Sequence, residues 1–105
     1  MANIEADKGV ITQINVFTVL PENQQALIEL LIESAESVRE LPGWISASIH
    51  RSLDGRRVVN YAQAESMEAQ ERIVASLRAD GFLNRNKLLG EASPGLYEVV
   101  YTLVR

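Results

Sequence analysis

Four segments of the chain alternate apolar and polar side chains, which is the two-residue period of a β-strand. In the first, Gly9 to Leu20, both sets of alternate positions include apolar residues, with Val16 on one face and Phe17 on the other. We therefore expect both faces of this strand to be covered. The other three predicted strands are Trp44 to Arg51, Arg57 to Gln63 and Leu96 to Val104.

Two longer segments carry the three-to-four-residue period of amphipathic helices. The first begins at Pro21, a residue tolerated at the first helical position because no N–H is needed there, and ends before Gly43. The second follows Ser66, a good N-cap, and ends near Ala79, while residues 82–89 predict a short third helix. The predicted inward stripes are Leu27, Leu30, Leu31, Ser34, Val38 and Leu41 on the first helix, and Met67, Gln70, Ile73, Val74 and Leu77 on the second.

The resulting order, β-α-β-β-α-(α)-β, is typical of the ferredoxin-like α+β fold, in which helices cross one face of a four-stranded antiparallel sheet. Residues 1–8 are polar and without a period, so we expect a flexible arm followed by one domain over residues 9–105. Helices on one side leave the other face of the sheet uncovered, and an exposed apolar face is an association site. The pattern therefore predicts a homodimer whose sheets pack face to face.

Composition narrows the range of partners. The chain has 105 residues, a formal charge of −4 and an isoelectric point near 4.9, which argues against nucleic acid or an anionic membrane as the main partner. Its only dense basic group, Arg51, Arg56 and Arg57, surrounds a predicted turn and is interpreted as a solvated loop. No apolar run is long enough to span a bilayer or to act as a signal core, so we expect a cytoplasmic protein.

The inventory of reactive side chains excludes several kinds of site. With one histidine and no cysteine, the chain cannot build a two-histidine or cysteine-bound metal centre by itself, and its six glycines form no phosphate-binding fingerprint. Ser46 and Ser48 share a strand face with His50 but point in parallel with it, which disfavours a serine hydrolase. What remains is a set of polar side chains on apolar strands, which indicates a lined cavity or a hydrogen-bonded core network. This set is Gln13, Asn15, Ser46, Ser48, His50, Asn60 and Gln63.

Asn60 is the most informative of these residues. It lies in mid-strand, where asparagine is disfavoured and a β-branched residue would pack better. His50 is open to two interpretations, a cavity residue or an ordinary strand-end histidine. Gln70 falls on the inward stripe of the second helix, where it either faces the same interior as Asn60 or is exposed by a slight rotation of the helix.

The run PGWISASIHRSLDGRRVVNYAQAES, Pro42 to Ser66, resembles the small antibiotic-biosynthesis monooxygenases, especially the cofactor-independent anthrone oxygenases of aromatic polyketide pathways. Their pattern is a Pro-Gly, a strand ending in histidine, an Asp-Gly turn, and then Val-Asn-Tyr-Ala-Gln-Trp before an acidic helix start. The resemblance implies a dimeric α+β barrel of two ferredoxin-like subunits. It also implies one active-site cavity between the sheet and the helices of each subunit.

In that family an asparagine, a tryptophan, a helix aromatic and the strand-end histidine line the cavity. The resemblance places Asn60 and His50 at the asparagine and histidine positions, and so implies that they are catalytic. The tryptophan position is occupied by Ala64 and the helix aromatic position by Gln70, so we expect a larger and more polar cavity. The predicted pocket residues are Asn15, Tyr61, Ala64, Gln70 and Trp44.

The chemistry implied by the resemblance is oxidation of a small anthrone-like or quinol-like aromatic by O2, with no metal or organic cofactor. Asn60 would donate a hydrogen bond to the substrate oxyanion, and His50 would accept or relay a proton. The main alternative is a dimeric small-molecule-binding protein of the same fold without catalysis, which the substitutions Ala64 and Gln70 favour. A haem-degrading oxygenase is the third interpretation: Asn15 sits where such enzymes carry an asparagine, but no histidine follows Ser66 to bind the iron.

Overall fold

The computed structural model describes residues 9–105, and the predicted arm over residues 1–8 lies outside the described residues. Its strands are β1 (Ile11–Val19), β2 (Trp44–Arg51), β3 (Arg57–Ala64) and β4 (Gly90–Tyr97). They form one antiparallel sheet in the order β2-β3-β1-β4. This order, with helices across one face, confirms the predicted ferredoxin-like α+β fold.

Three helices pack on one face of this sheet. Helix α1 (Gln24–Val38) follows a 3-10 turn at Pro21–Asn23, α2 (Met67–Ala79) follows Ser66, and α3 (Phe82–Leu89) coincides with the predicted third helix. Ser66 caps α2 as expected, since its Oγ accepts a hydrogen bond from the N–H of Ala69 at 3.1 Å. The buried side chains form two clusters, one of Phe17, Val19, Leu27, Ile28, Leu31 and Val58, and one of Val38, Ala64, Ala69 and Ile73.

The start of α2 corrects one prediction. Met67 was expected on the inward stripe, but it is 42% exposed, and Ala69 is buried in its place. Gly43, with φ +86°, approaches α2 so closely that a Cβ there would clash with the Cβ of Ala69. This contact, which needs glycine at one position and a small residue at the other, fixes which side of α2 faces inward.

The β2–β3 hairpin turns as predicted. The carboxylate of Asp54 accepts hydrogen bonds from the N–H of Arg56 at 2.9 Å and from the hydroxyl of Ser52 at 2.8 Å. These donors hold the pKa of Asp54 below its ordinary value of 3.8. At the same corner, the side chain of Gln24 donates to the backbone oxygens of Ser52 and Arg57, which ties the start of α1 to the hairpin.

An irregularity in β2 corrects the predicted grouping of its side chains. The register against β3 shifts between Trp44 and Ser46, so Trp44 lies on the helix-facing side while Ser46 pairs with Gln63 on the other side. Without the shift, strict alternation would have placed Trp44, Ser46, Ser48 and His50 on one face, as the sequence predicted.

The last strand was predicted at the wrong place. Instead of Leu96 to Val104, β4 runs from Gly90 to Tyr97 and pairs with Thr12 to Val19 of β1. The chain turns directly from α3 into the sheet at Gly90, where a Cβ would lie 2.8 Å from Val19 Cγ1. Pro94 is tolerated in mid-strand because β4 is an edge strand. The alternating segment after Tyr97 therefore has no strand partner among the described residues.

Candidate active site

A cavity of about 290 Å³ between the sheet and the helices is bordered on its sheet side by three amide side chains, Gln13, Asn15 and Asn60. Asn15 of β1 and Asn60 of β3 are direct partners in the strand register, so their Cβ atoms are roughly 5 Å apart on the same face. The walls come from all three helices and β4, and they are mostly apolar. The full lining is Gln13, Asn15, Phe17, Leu31, Ser34, Asn60, Ile73, Val74, Leu77, Arg78, Phe82, Leu83, Asn86, Lys87, Ala92 and Pro94.

Three amide oxygens around this cavity have no partner. The Oδ1 atoms of Asn15, Asn60 and Asn86 are buried and accept no hydrogen bond from the described part of the chain. By contrast, the buried amide of Gln63 on the opposite face donates through Nε2 to Thr12 Oγ1 at 3.1 Å. An unsatisfied buried acceptor costs about 1–3 kcal/mol, so three around one cavity indicate groups arranged to meet a bound molecule.

Asn86 is the site residue that our sequence interpretation missed. It lies on α3, one turn after Phe82, and both side chains are more than nine-tenths buried. The four-residue spacing from an inward-facing phenylalanine is the signal that could have identified it. Ser34 of α1 also lines the cavity, but its hydroxyl already donates to Leu31 O at 2.8 Å.

Two cations, Arg78 of α2 and Lys87 of α3, stand at the edge of the cavity with exposed side chains. A second, more open groove of about 480 Å³ continues outward between α2 and β4. Arg78 and Gln13 border both spaces, and Glu71 borders the outer groove. A ligand larger than the inner cavity can therefore extend toward solvent along α2.

Gln70 and Trp44 lie near this cavity, on a narrow adjoining space of about 30 Å³ that also touches Asn60. Gln70 is 5% exposed, so of its two predicted orientations the inward one is found. Ala64 borders none of these spaces: it is fully buried against Val38 and Ile73, with Trp44 packed over the same cluster. The predicted extra room at position 64 is absent because Trp44, its cross-strand partner, turns inward after the register shift.

The structure does not bring His50 and Tyr61 to the cavity. In the β2–β3 register His50 stands opposite Val59, and Tyr61 opposite Ser48, on the face away from the helices. Asn60 points to the other face because side chains alternate along a strand. Within one subunit the structure therefore does not bring His50 beside Asn60.

Two further features of residues 9–105 bear on the type of site. No group of three or more His, Cys, Asp or Glu side chains there could hold a metal ion. None of the helices in this part of the chain combines the length and apolarity needed to cross a membrane.

The sequence has matches among characterised proteins. A family profile described as antibiotic biosynthesis monooxygenase matches residues 10–84. Over 67 residues the chain is 45% identical to tetracenomycin-F1 monooxygenase from Streptomyces glaucescens. That match covers 63% of this chain and 60% of the relative, so the aligned part spans less than two thirds of that protein.

Solved structures show the same architecture. A monooxygenase from the gene ActVA-Orf6 of Streptomyces coelicolor, in complex with nanaomycin D, superposes with a TM-score of 0.85 at 29% identity, covering 99% of both chains. A mutant of SnoaB, a cofactor-independent oxygenase from Streptomyces nogalater, superposes with a TM-score of 0.81 at 21% identity, covering 92% of this chain and 99% of that chain. The second likeness bears on the fold alone.

Proposed function

Because the chain belongs to the antibiotic biosynthesis monooxygenase family, we propose that it is a monooxygenase that oxidises a fused-ring, anthrone-like or quinol-like aromatic compound with O2. The observation that carries this proposal is the pair of unpartnered amides, Asn15 and Asn60, on the floor of an apolar cavity. The relative named for tetracenomycin F1 and the similar structure that holds nanaomycin D support an aromatic polyketide as the substrate class.

The proposed reaction needs no group beyond the substrate and O2. A methylene flanked by aromatic rings loses a proton, and the carbanion gives electrons to O2 to form a carbon-bound hydroperoxide. Loss of water from the hydroperoxide leaves a carbonyl, so one oxygen atom enters the product and the other leaves as water. The N–H groups of Asn60 and Asn15 would stabilise the negative oxygen conjugated with the carbanion.

The proton lost by the substrate needs an acceptor other than His50, because His50 does not line the cavity. The cavity wall offers two positive charges, Arg78 and Lys87, at its edge. Positive charge beside an ionising substrate favours the anion and lowers the substrate's pKa. We propose that the proton leaves to water through this edge, while the apolar wall keeps bulk water from the carbanion.

Oxygen uptake with a panel of anthrones and hydroquinones tests the proposal, with parent protein that has been treated with chelator and checked for absence of flavin absorbance. We expect Asn60→Ala to lower kcat/KM by roughly 100-fold, the usual loss for one oxyanion donor. Asn84→Ala is the matched control, because Asn84 is an exposed asparagine on α3, and it should retain parental activity. Equal rates for parent and Asn60→Ala on every substrate would refute the assignment of Asn60.

A second candidate is a binding protein of the same fold without catalysis. It is favoured by the placement of His50 and Tyr61 outside the cavity and by the absence of bulky aromatics at Ala64 and Gln70. Saturable binding of anthrones in the parent, abolished in Asn60→Ala but without oxygen uptake in either, would support this candidate and exclude the monooxygenase.

We also propose that the protein is a homodimer through the outer sheet face. Ile14, Val16, Val59 and Tyr61 lie there, only half-buried, and no helix among the described residues packs on this face. The segment after Tyr97 adds exposed apolar residues, namely Val100, Tyr101, Leu103 and Val104. Sedimentation should show a dimer at micromolar concentration for the parent and for the control Leu53→Lys, whose site is fully exposed, and a monomer for Val16→Lys. A monomeric parent would refute the proposal.

A further inference from the structure

Asn60 lies between two separate spaces. It borders the inner cavity of about 290 Å³ and also the narrow space of about 30 Å³ between α1, α2 and the sheet. Its Oδ1 atom is buried and accepts no hydrogen bond within residues 9–105. The two ends of the amide differ chemically, since the oxygen only accepts hydrogen bonds and the nitrogen only donates them. Which end faces which space therefore decides whether Asn60 can stabilise a substrate anion.

The narrow space has the size and the lining of a site for a single water molecule. A buried water needs roughly 10–15 Å³ of accessible room and two to four polar partners, and this space offers about 30 Å³. Polar side chains from three elements border it, namely Asn60 of β3, Gln70 of α2 and Ser34 of α1. Gln70 and Ser34 are both more than nine-tenths buried, so bulk solvent does not supply their hydrogen bonds.

The hydrogen-bonding capacities of these three groups match those of one water. Ser34 already donates its hydroxyl proton to Leu31 O at 2.8 Å, which leaves its oxygen as an acceptor. Asn60 Oδ1 is also an acceptor, whereas the amide of Gln70 can donate through Nε2. A water in this space can therefore donate to Asn60 and Ser34 and accept from Gln70, and the buried oxygen of Asn60 is then satisfied.

We infer that Gln70 and Ser34 hold one buried water against Asn60 Oδ1, and that this water fixes the Asn60 amide with its N–H groups toward the inner cavity. The inference deepens the proposed function and rests on it for the role of those N–H groups as donors to the substrate oxyanion. Gln70 is then a positioning residue, because it acts on the substrate only through the water and Asn60. Without the water, the amide is free to turn its oxygen toward the cavity, where it would repel the developing negative charge.

A high-resolution crystal structure of the parent tests the water directly. We expect density for one water within about 3.2 Å of both Asn60 Oδ1 and the Gln70 amide, and no such density in Gln70→Leu. Leucine is apolar and similar in size to glutamine, so the fold should persist in this variant. Gln13 borders the same space and is the competing partner. A parent structure with no water there, or with Gln13 bonded to Asn60 Oδ1 in its place, would overturn the inference.

Oxygen uptake separates positioning from support of the fold. Gln70→Leu should lower kcat about tenfold with KM changed less than about twofold, a smaller loss than in Asn60→Ala because the donor remains but is no longer held. In the Asn60→Ala background the same substitution should cost less than about twofold, since the water then has no amide to orient. The control Gln25→Leu changes an exposed side chain of α1 and should keep parental activity. A tenfold loss that persists in the Asn60→Ala background would give Gln70 a structural role and refute positioning.

Failure of the proposed function has a different signature. A parent that consumes no oxygen with any anthrone or hydroquinone would reject the monooxygenase and, with it, the positioning role of Gln70. The water site itself is decided by the density in the parent crystal, which does not depend on turnover.

Discussion

Position 64 is tryptophan in the family pattern and a fully buried alanine in this chain. The substitution Ala64→Trp tests whether other side chains of this protein occupy the volume of that tryptophan. Ala64 packs against Val38, Ala69 and Ile73, and the nearest space beside this cluster is about 30 Å³, roughly the volume of one water molecule. An indole does not fit there without displacing Trp44, the cross-strand partner of Ala64. We therefore expect destabilisation rather than a gain of function.

The magnitude follows from the cost of overpacking, which is about 1–3 kcal/mol for a well-packed core. A loss of about 2 kcal/mol lowers the melting temperature of a domain of this size by about 8–16 °C. Removing the obstructing ring should relieve the strain. The double variant Trp44→Ala/Ala64→Trp should therefore lose less free energy of unfolding than the sum of the losses in the two single variants, by about 1 kcal/mol or more.

The measurement is a double-mutant cycle: thermal and urea unfolding are compared for the parent, the two single variants and the double variant. The matched control is Ala75→Trp, on the exposed side of α2, which should change stability by no more than about 0.5 kcal/mol. Parental stability of Ala64→Trp, or additive effects of the two substitutions, would mean that Trp44 does not occupy the space and would refute the reasoning.

Two further predictions concern polar groups away from the cavity. Gln63→Leu leaves the buried hydroxyl of Thr12 without its hydrogen-bond donor, so thermal unfolding should show a loss of about 1–3 kcal/mol. The double variant Thr12→Val/Gln63→Leu removes both polar groups and should recover most of that loss. A double variant as unstable as Gln63→Leu would contradict the pairing. Because the pKa of Asp54 is lowered on folding, its carboxylate stabilises the protein above the unfolded pKa, and this stabilisation is lost as pH falls through the folded value. Asp54→Asn should therefore be less stable near neutral pH and show a flatter stability profile below about pH 4, and identical profiles would exclude this contribution.

The parts of the fold that sequence predicted correctly rest on local physical chemistry. Alternation along β1 separated Phe17 and Val16 onto opposite faces, because the period of a strand is fixed at two, and the structure places Phe17 in the core under the helices. Ser66 predicted the start of α2 because a capping hydroxyl acts within one turn. Asn60 stood out because an amide in mid-strand conflicts with the preference of that position for an apolar, β-branched residue.

The parts that sequence could not supply depend on contacts between distant segments. The register shift in β2 moves Trp44 to the helix side and leaves His50 on the outer face, and no local pattern signals it. The last strand begins at Gly90, where a Cβ would crowd Val19 and Leu27, whereas alternation alone favoured the more apolar segment after it. That Asn15 is the partner of Asn60 follows from the β1–β3 register.

The buried polar groups around the inner cavity are unfavourable for the fold alone. A small domain is stable by only about 5–15 kcal/mol, and a buried acceptor that finds no hydrogen bond costs about 1–3 kcal/mol, so a partner for the Oδ1 atoms of the three asparagines matters to stability. Leucine at Asn15, Asn60 or Asn86 would leave no polar group to satisfy at the cavity, so under the proposed function these asparagines are kept for the ligand. A ligand present at a hundred times its Kd adds about 2.7 kcal/mol of stability, enough to offset one or two of the unpartnered amides. The proposed function therefore predicts that the ligand completes this part of the core, and that Asn15, Asn60 and Asn86 are the groups through which it stabilises the protein.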